Sequence, residues 1–498
     1  MSGYKPYPPA GPLLIGYDPY RDLPADHLAW LVDEMVDEWV KPAPKASGAG
    51  QPERDPRVCI KVVLYSCMTG VHSSRRMAQN CYESLPYLLL VREDRPCHMS
   101  LADARRFESE LLRELFCRLK QVARELGIAF LGRIAIDSSK FPAIASKDSV
   151  VAAKDYDQAL AAFDAILSLV EKTDLHEDAE GSQVHVQTGV SRIQMREVLR
   201  SVGKESTEDL KLSPAMVKRV KAGVKTLEKA KAEGASHVSL TDPDARIMPI
   251  GSSKKQRMGY QFEAVTDGGN LLETSTGNHA SDGGRLLPLV EAAREASDIP
   301  ITQVTADTGY FSGGQVQELL DSGTDVLVPD RAAAREMRLG PPPPEEDCIT
   351  FKKIEGRNAY ICPRGNVLIY AKAEKSGGQR FITYIAKDEC SGCPLASRCL
   401  KKPGAKRRYL RVGEFRDSLK TYSAKFAEPE NRKAYMARGP AIETVFAVIQ
   451  SVFGFHRWHV IGAEAVACEG MLLSCAYELK KIQVHLRKLG KTFQEAMA

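Results

Sequence analysis

The sequence predicts a mixed α/β fold, with a mixed sheet flanked by helices in a chain of two or three domains. Three observations carry that expectation. Two short apolar alternations, at residues 132–140 and 301–310, each run into an aspartate and then a polar or glycine turn. Between them, residues 260–266 and 271–276 flank Asp267-Gly-Gly-Asn, a hairpin signal. Helical periodicity dominates both ends of the chain, and 498 residues with 43% hydrophobic content can bury more than one core.

In chain order, residues 1–125 are expected to form an all-helical domain. Residues 28–40 and 58–68 have helical pattern, and Asp55-Pro56 supplies a helix start. Thr69-Gly-Val-His-Ser-Ser-Arg-Arg-Met then reads as a glycine turn with Arg75 and Arg76 at the head of another helix, a helix-turn-helix candidate for DNA contact. A short turn between helices is equally common in any helical domain. Residues 126–149 open the sheet-bearing core. Residues 150–238 read as a charge-rich helical insertion, with helices at 157–172 and 216–232 and a polar loop at 174–181.

The core resumes over 239–330 with the hairpin, a helix at 286–296 and strands at 301–306 and 325–328. Pro341–Pro344 close it, and a basic, cysteine-bearing insertion spans 331–425. Residues 426–498 are expected to be helices completing the core, at 443–453 and 463–481. The linker Gly454-Phe-His-Arg-Trp-His459 between them suits an aromatic anchor better than a DNA contact.

The chemistry rests on acids. Asp137 and Asp307 each end an apolar strand pattern, which places two carboxylates at a sheet edge. Hard divalent cations want oxygen ligands on rigid backbone, with positions left open for substrate and water. Glu443 falls in a stretch whose apolar residues at 442, 445, 446 and 449 mark a helix, so it is expected near the buried stripe. A carboxylate there is costly unless a cation or a cleft compensates it. Each acid alone also fits an ordinary cap or salt bridge. Together they are the layout of a metal-dependent nucleic-acid enzyme with an RNase H-like core.

Ala135-Ile-Asp-Ser-Ser-Lys, Leu240-Thr-Asp-Pro-Asp-Ala-Arg-Ile-Met, Gly259-Tyr-Gln-Phe-Glu-Ala-Val-Thr-Asp, Ala306-Asp-Thr-Gly-Tyr-Phe-Ser and the series Tyr435, Arg438, Glu443 together resemble the bacterial insertion-sequence DDE transposases. The resemblance is to the branch with an N-terminal helical domain and a cysteine-bearing insertion, the insertion sequence eleven-eighty-two group, and covers most of residues 15–482. It implies a catalytic triad of Asp137, Asp307 and Glu443 holding two Mg²⁺ ions, with Mn²⁺ able to substitute. It also implies cleavage at transposon ends followed by 3′-hydroxyl strand transfer. Residues 1–125 would bind the ends, with Tyr435 and Arg438 near DNA. The family's signature continues from its glutamate to a lysine seven residues on; here that position is Gln450, a departure that bears on DNA grip. A nuclease without strand transfer, or an inactive DNA-binding derivative, are the alternatives.

The implied partner is double-stranded DNA, both inverted repeats and target, met by a homo-oligomer assembled on it. The net charge of +5 is weak support. The basic run Arg398, Lys401, Lys402, Lys406, Arg407, Arg408 and Arg411 says more, although a solvated loop has the same look. No run approaches the roughly 18 apolar residues of a membrane helix, and Met1-Ser-Gly-Tyr-Lys-Pro-Tyr-Pro-Pro lacks signal-peptide character. A cytoplasmic, nucleoid-associated protein is expected. Cys362, Cys390, Cys393 and Cys399 suit either structural Zn²⁺ or inert thiols. Cys59, Cys67, Cys81, Cys468 and Cys475 read as small buried apolar residues. No phosphate-binding glycine loop is present, so ATP is not implied.

Overall fold

A computed structural model describes residues 18–42, 54–128, 131–145, 149–164 except 162, 214–297 except 252 and 254, 299–340, 349–376, 379–415 except 401 and 403, and 419–497. The expected loop at 174–181, the later part of the helix at 157–172, Pro341–Pro344 and Lys401 lie outside these residues. No helix among the described residues is long and apolar enough to cross a membrane.

The chain divides into two compact units. The first comprises Met1–Ile128, Val448–Phe455 and Glu464–Ala498. The segment expected to complete the core, 426–498, is therefore shared between the units. Helices Leu28–Trp39, Pro56–Met68, Ser74–Glu83, Leu85–Val91, His98–Phe107 and Ser109–Glu125 form this unit together with nearly all of Ala463–Leu489. Asp55 caps Pro56–Met68 by accepting from Arg57 N–H, with Pro56 at the first helical position, where its missing donor costs nothing. Long-range pairing closes the unit: buried Arg105 is ion-paired with buried Glu469, and Cys475 Sγ donates to Leu112 O at 3.1 Å. Cys59, Cys67, Cys81, Cys468 and Cys475 are buried, as small apolar residues.

The second unit holds Ala129–Ala447 and His456–Ala463. Its strands are β1 (Arg133–Pro142), β2 (Val150–Ala152), β3 (His237–Ser239), β4 (Arg246–Ile250), β5 (Lys255–Asp267), β6 (Asn270–Gly277), β7 (Gln303–Ala306) and β8 (Asp325–Leu327). The main sheet runs β4-β5-β1-β7-β8, with β6 also paired to β5. β1 is antiparallel to β5 and parallel to β7, and β7 is parallel to β8. An antiparallel meander thus joins a parallel half at β1. The β5–β6 turn uses Gly268 and Gly269, both at positive φ (59° and 82°), as a two-residue hairpin requires.

Gly132, at φ 70°, lets β1 start against the segment that leads into β7, since a Cβ there would lie 2.2 Å from Pro300 O. Ile134, Ile136, Val304, Val326, Leu289 and Val316 fill the core between this sheet and helices Leu286–Glu295 and Gly313–Asp321.

Two expectations need correction. The segment 150–238 is not wholly helical: it begins and ends in β2 and β3, which pair with each other, while Pro214–Ala232 is the helix expected at 216–232. Asp137 does not end its strand either. β1 continues to Pro142 because the 13-residue β5 keeps supplying partners to Ser138, Ser139 and Lys140, which the sequence suggests as a turn.

A second sheet lies in the insertion, with β9 (Lys352–Lys353), β10 (Ala359–Ile361), β11 (Val367–Ser376), β12 (Gln379–Ala386) and β13 (Tyr409–Gly413) in the order β13-β12-β11-β10-β9, all antiparallel. Helices Leu419–Ala427, Pro429–Met436 and Arg438–Ala447 return to the main sheet. The last packs on β1 and β5.

The candidate active site

The parallel ladder of β1 and β7 ends at the pair Ile136–Ala306, so the next residues, Asp137 and Asp307, leave it side by side. Neighbouring strands stand about 4.8 Å apart, so that register brings the two backbones together across 170 residues of sequence. Asp307 is exposed and opens the 3-10 turn Thr308–Tyr310, whose Tyr310 N–H donates back to Asp307 O at 3.0 Å. Asp137 is half-buried, and its Oδ1 accepts from Ser138 N–H at 2.8 Å.

Arg438, at the start of helix Arg438–Ala447, donates through Nη1 to Asp137 Oδ2 at 3.1 Å and lies over the Tyr435 ring, 5.5 Å from its centre. Burial pushes the Asp137 carboxyl above its ordinary range, Arg438 and the Ser138 N–H oppose this, and the charge of Asp307 adds to it. Burial likewise raises the Tyr435 phenol, with Arg438 opposing and both aspartates adding.

Glu443 is placed otherwise than expected. Ile442, Val445 and Ile449 make the buried stripe, and Glu443, roughly 100° around the helix from Ile442, is exposed. It shares its helix with Arg438, and its Oε1 would lie 3.4 Å from a Cβ at Gly439. Among the described residues, no three acidic, histidine or cysteine side chains are grouped as metal ligands. The structure therefore sets Asp137 and Asp307 at adjacent strand positions, with Arg438 on Asp137 and Tyr435 behind Arg438, and places Glu443 on the Arg438 helix without a ligand-range contact.

The other expected contacts divide similarly. Arg75 and Arg76 are exposed in the first turn of Ser74–Glu83, capped by Ser73 Oγ accepting from Arg76 N–H at 3.4 Å. Tyr435 is buried against Leu327 and the Phe426 ring, with the Arg438 guanidinium over its own ring, rather than facing open solvent. Gln450 sits half-buried in the π-helical turn Val448–Val452, which belongs to the first unit, whereas Glu443 belongs to the second.

Trp458, expected in an anchoring loop, is fully buried against Phe141 and Tyr260. The Thr-Asp-Pro-Asp block fixes that same segment: Asp242 accepts from Tyr260 OH and Gly462 N–H, and Asp244 from Ala463 N–H at 3.0 Å.

In the insertion, Cys362, Cys390, Cys393 and Cys399 line one cavity. Cys362 begins a tight turn closed by Gly365 N–H donating to Cys362 O, with Gly365 at φ 84°. Cys393 N–H closes on Cys390 O, and Cys393 Sγ accepts from Leu395 N–H at 3.4 Å. Burial raises the Cys399 thiol; Arg408 opposes this and the other three cysteines add to it. Of the basic run, Arg398, Lys402, Lys406, Arg407 and Arg411 are exposed. Arg408 is engaged with Cys399 O, and Arg411 is paired with Glu374 at 2.9 Å.

Comparison with known proteins adds the family. Residues 361–483 match the Transposase DDE domain, and residues 18–106 match the Transposase domain (DUF772). These two matches, each to less than half of the chain, support an insertion-sequence DDE transposase. The first match includes Glu443 and the four cysteines; neither reaches Asp137 or Asp307. Among solved structures, the cryo-electron microscopy structure of the piggyBac transposase synaptic complex with hairpin DNA is 12% identical, covering 97% of this chain and 78% of that one, with a TM-score of 0.32. A likeness at that level carries no argument about fold or mechanism. No curated protein matches.

Proposed function

We propose that the chain cleaves DNA at the ends of a mobile element and joins the freed 3′-hydroxyl to target DNA, with Asp137, Asp307 and Glu443 as the catalytic acids on an RNase H-like core. The observation that carries this reading is the register of β1 and β7, which sets Asp137 beside Asp307 at the end of a parallel ladder. The order β6-β5-β1-β7-β8, antiparallel then parallel, supports the core assignment. The donor set suits Mg²⁺, a hard cation that takes carboxylate oxygens and keeps several waters. The raised Asp137 carboxyl next to a second acid is a site whose charge a cation would offset.

When bound, the ions would supply an activated oxygen nucleophile and charge stabilisation during in-line displacement at phosphorus. The chain's part is positioning. Adjacent strands hold Asp137 and Asp307 where they would ligate a cation, and Glu443, on the helix that packs on β1 and β5, would complete the donor set. Arg438 pairs with Asp137 here, and with a cation on that carboxylate it would be available to a phosphate oxygen. Arg75 and Arg76 contact the element's terminal repeats, and the exposed arginines and lysines of the insertion contact phosphates. The four insertion cysteines line one cavity but are not grouped as ligands as they stand, so zinc there, as a structural staple, would need the thiols to draw together.

One observation favours a second reading. The Arg438–Asp137 pair, together with Gln450 in place of the family's lysine, is compatible with an inactive derivative that still binds DNA. An assay with Mg²⁺ that offers both an uncleaved terminal-repeat end and a pre-cleaved 3′-hydroxyl end tests the proposal. Joined product supports it; cutting without joining leaves a nuclease; binding without either leaves the inactive derivative.

A further inference from the structure

We propose that Asp282 is a positioning residue that sets both sheet-edge aspartates, and through them the affinity for a divalent cation; this rests on the metal reading above. Asp282 lies in the glycine-rich loop after β6, far in sequence from both acids, yet its carboxylate touches the chain next to each. Its Oδ1 accepts from Ser138 Oγ at 3.1 Å and from the buried Gln261 Nε2 at 2.5 Å, and lies 3.8 Å from Lys140 Nζ. Ser138 is the residue whose N–H holds Asp137 Oδ1.

On its other side, Asp282 Oδ2 covers Gly309, two residues past Asp307, so closely that a Cβ at Gly309 would lie 2.8 Å away. Gly309 is not at positive φ, so the reason for glycine there is this approach rather than backbone conformation. One carboxylate therefore bridges the residue after Asp137 to the turn after Asp307.

The loop itself is held firmly. Arg285 N–H donates to Asp282 O at 3.2 Å, and the Arg285 guanidinium forks onto buried Glu263, with Nη2 to Oε2 at 2.6 Å. Lys140 also donates to Ala280 O at 3.1 Å. A carboxylate so fixed can transmit its own position, because its contacts leave it little rotational freedom. Groups that orient metal-ligating carboxylates typically change metal affinity 10- to 100-fold when removed.

The test uses full-length protein and Mn²⁺ alone, with free Mn²⁺ counted by electron paramagnetic resonance. Asp282→Ala should weaken Mn²⁺ binding by about tenfold or more, and Asp282→Asn, which keeps one acceptor, by less. Gly309→Ala should also weaken it, because the new methyl displaces Asp282. In the Asp282→Ala background Gly309→Ala should cost nothing further, since the atom it would strike is gone. Unchanged affinity in Asp282→Ala overturns the proposal. Should Asp282→Ala lower the melting temperature as well, the double mutant decides: additive losses overturn the bridge, and non-additive losses support it. If Asp137→Asn and Asp307→Asn leave Mn²⁺ binding intact, the metal reading itself fails. If they abolish binding while Asp282→Ala does not, only the positioning role falls.

Discussion

Arg438 should behave as a stand-in for the cation, and that role can be weighed. Its guanidinium meets Asp137 at 3.1 Å with side chains only 12% and 27% exposed, so the pair is shielded from solvent enough to matter. Hydrogen bonds to charged groups in such settings contribute about 1.5–3 kcal/mol. Arg438→Ala should therefore destabilise the second unit by about 2 kcal/mol, leaving a half-buried carboxylate uncompensated. In an Asp137→Asn background the same substitution should cost well under half as much. Divalent cation at about 100 times its dissociation constant should restore up to about 2.7 kcal/mol to Arg438→Ala, because it takes the position the guanidinium left.

The assay is urea unfolding followed by tryptophan fluorescence in protein carrying Trp30→Phe and Trp39→Phe. Of the chain's three tryptophans, that leaves Trp458, buried in the second unit, as sole reporter. Equal cost in both backgrounds would refute the reasoning. It would mean that Arg438 acts by its contact with the Tyr435 ring rather than by pairing with Asp137.

Other outcomes follow from the same geometry. If the insertion cysteines hold zinc, protein purified without chelator should carry about one zinc per chain and lose it in Cys393→Ser, with local destabilisation; elemental analysis showing none would end the idea. In the full chain, Arg75→Ala and Arg76→Ala should weaken binding to terminal repeats and flatten its salt dependence, read by fluorescence anisotropy at several salt concentrations. A fragment of residues 1–125 is a poor test object, because Arg105 would lose its buried partner Glu469.

Mn²⁺ affinity should fall as pH drops into a window above the ordinary aspartate value of 3.8, since the raised Asp137 carboxyl takes up its proton there and competes with the cation. The same shift means that the folded state binds this proton more tightly than the unfolded one. Its stabilising contribution is full below the unfolded value and lost as pH rises through the folded one. Asp137→Asn, free of that loss, should melt no lower than the native protein at neutral pH in calorimetry without metal.

The acid pair was legible because strands announce themselves locally: alternation ending in aspartate needs only a few residues to read. The hairpin at Gly268 and Gly269 was legible for the same reason, its turn chemistry being local. What β1 does after Asp137 was not, because its continuation depends on the length of β5, more than a hundred residues away. Glu443 illustrates a limit of periodicity: the apolar positions fix the buried stripe, but a neighbour one residue from it falls on the flank. Asp282 left no trace in the sequence, since a polar glycine-rich loop has no period and its contacts lie across the fold. The partnership of Glu469 with Arg105, which ties the long C-terminal helix to the N-terminal helices, is likewise a long-range pairing.

The most direct test of the central claim is Mg²⁺-dependent cleavage of terminal-repeat DNA by Asp307→Asn, with end binding measured alongside. The amide keeps the side chain's shape and removes the charge that a divalent cation requires of its ligand. Cleavage should be abolished while binding to the repeats stays nearly intact, with Asp137→Asn and Glu443→Gln behaving alike. Full cleavage by Asp307→Asn would contradict it.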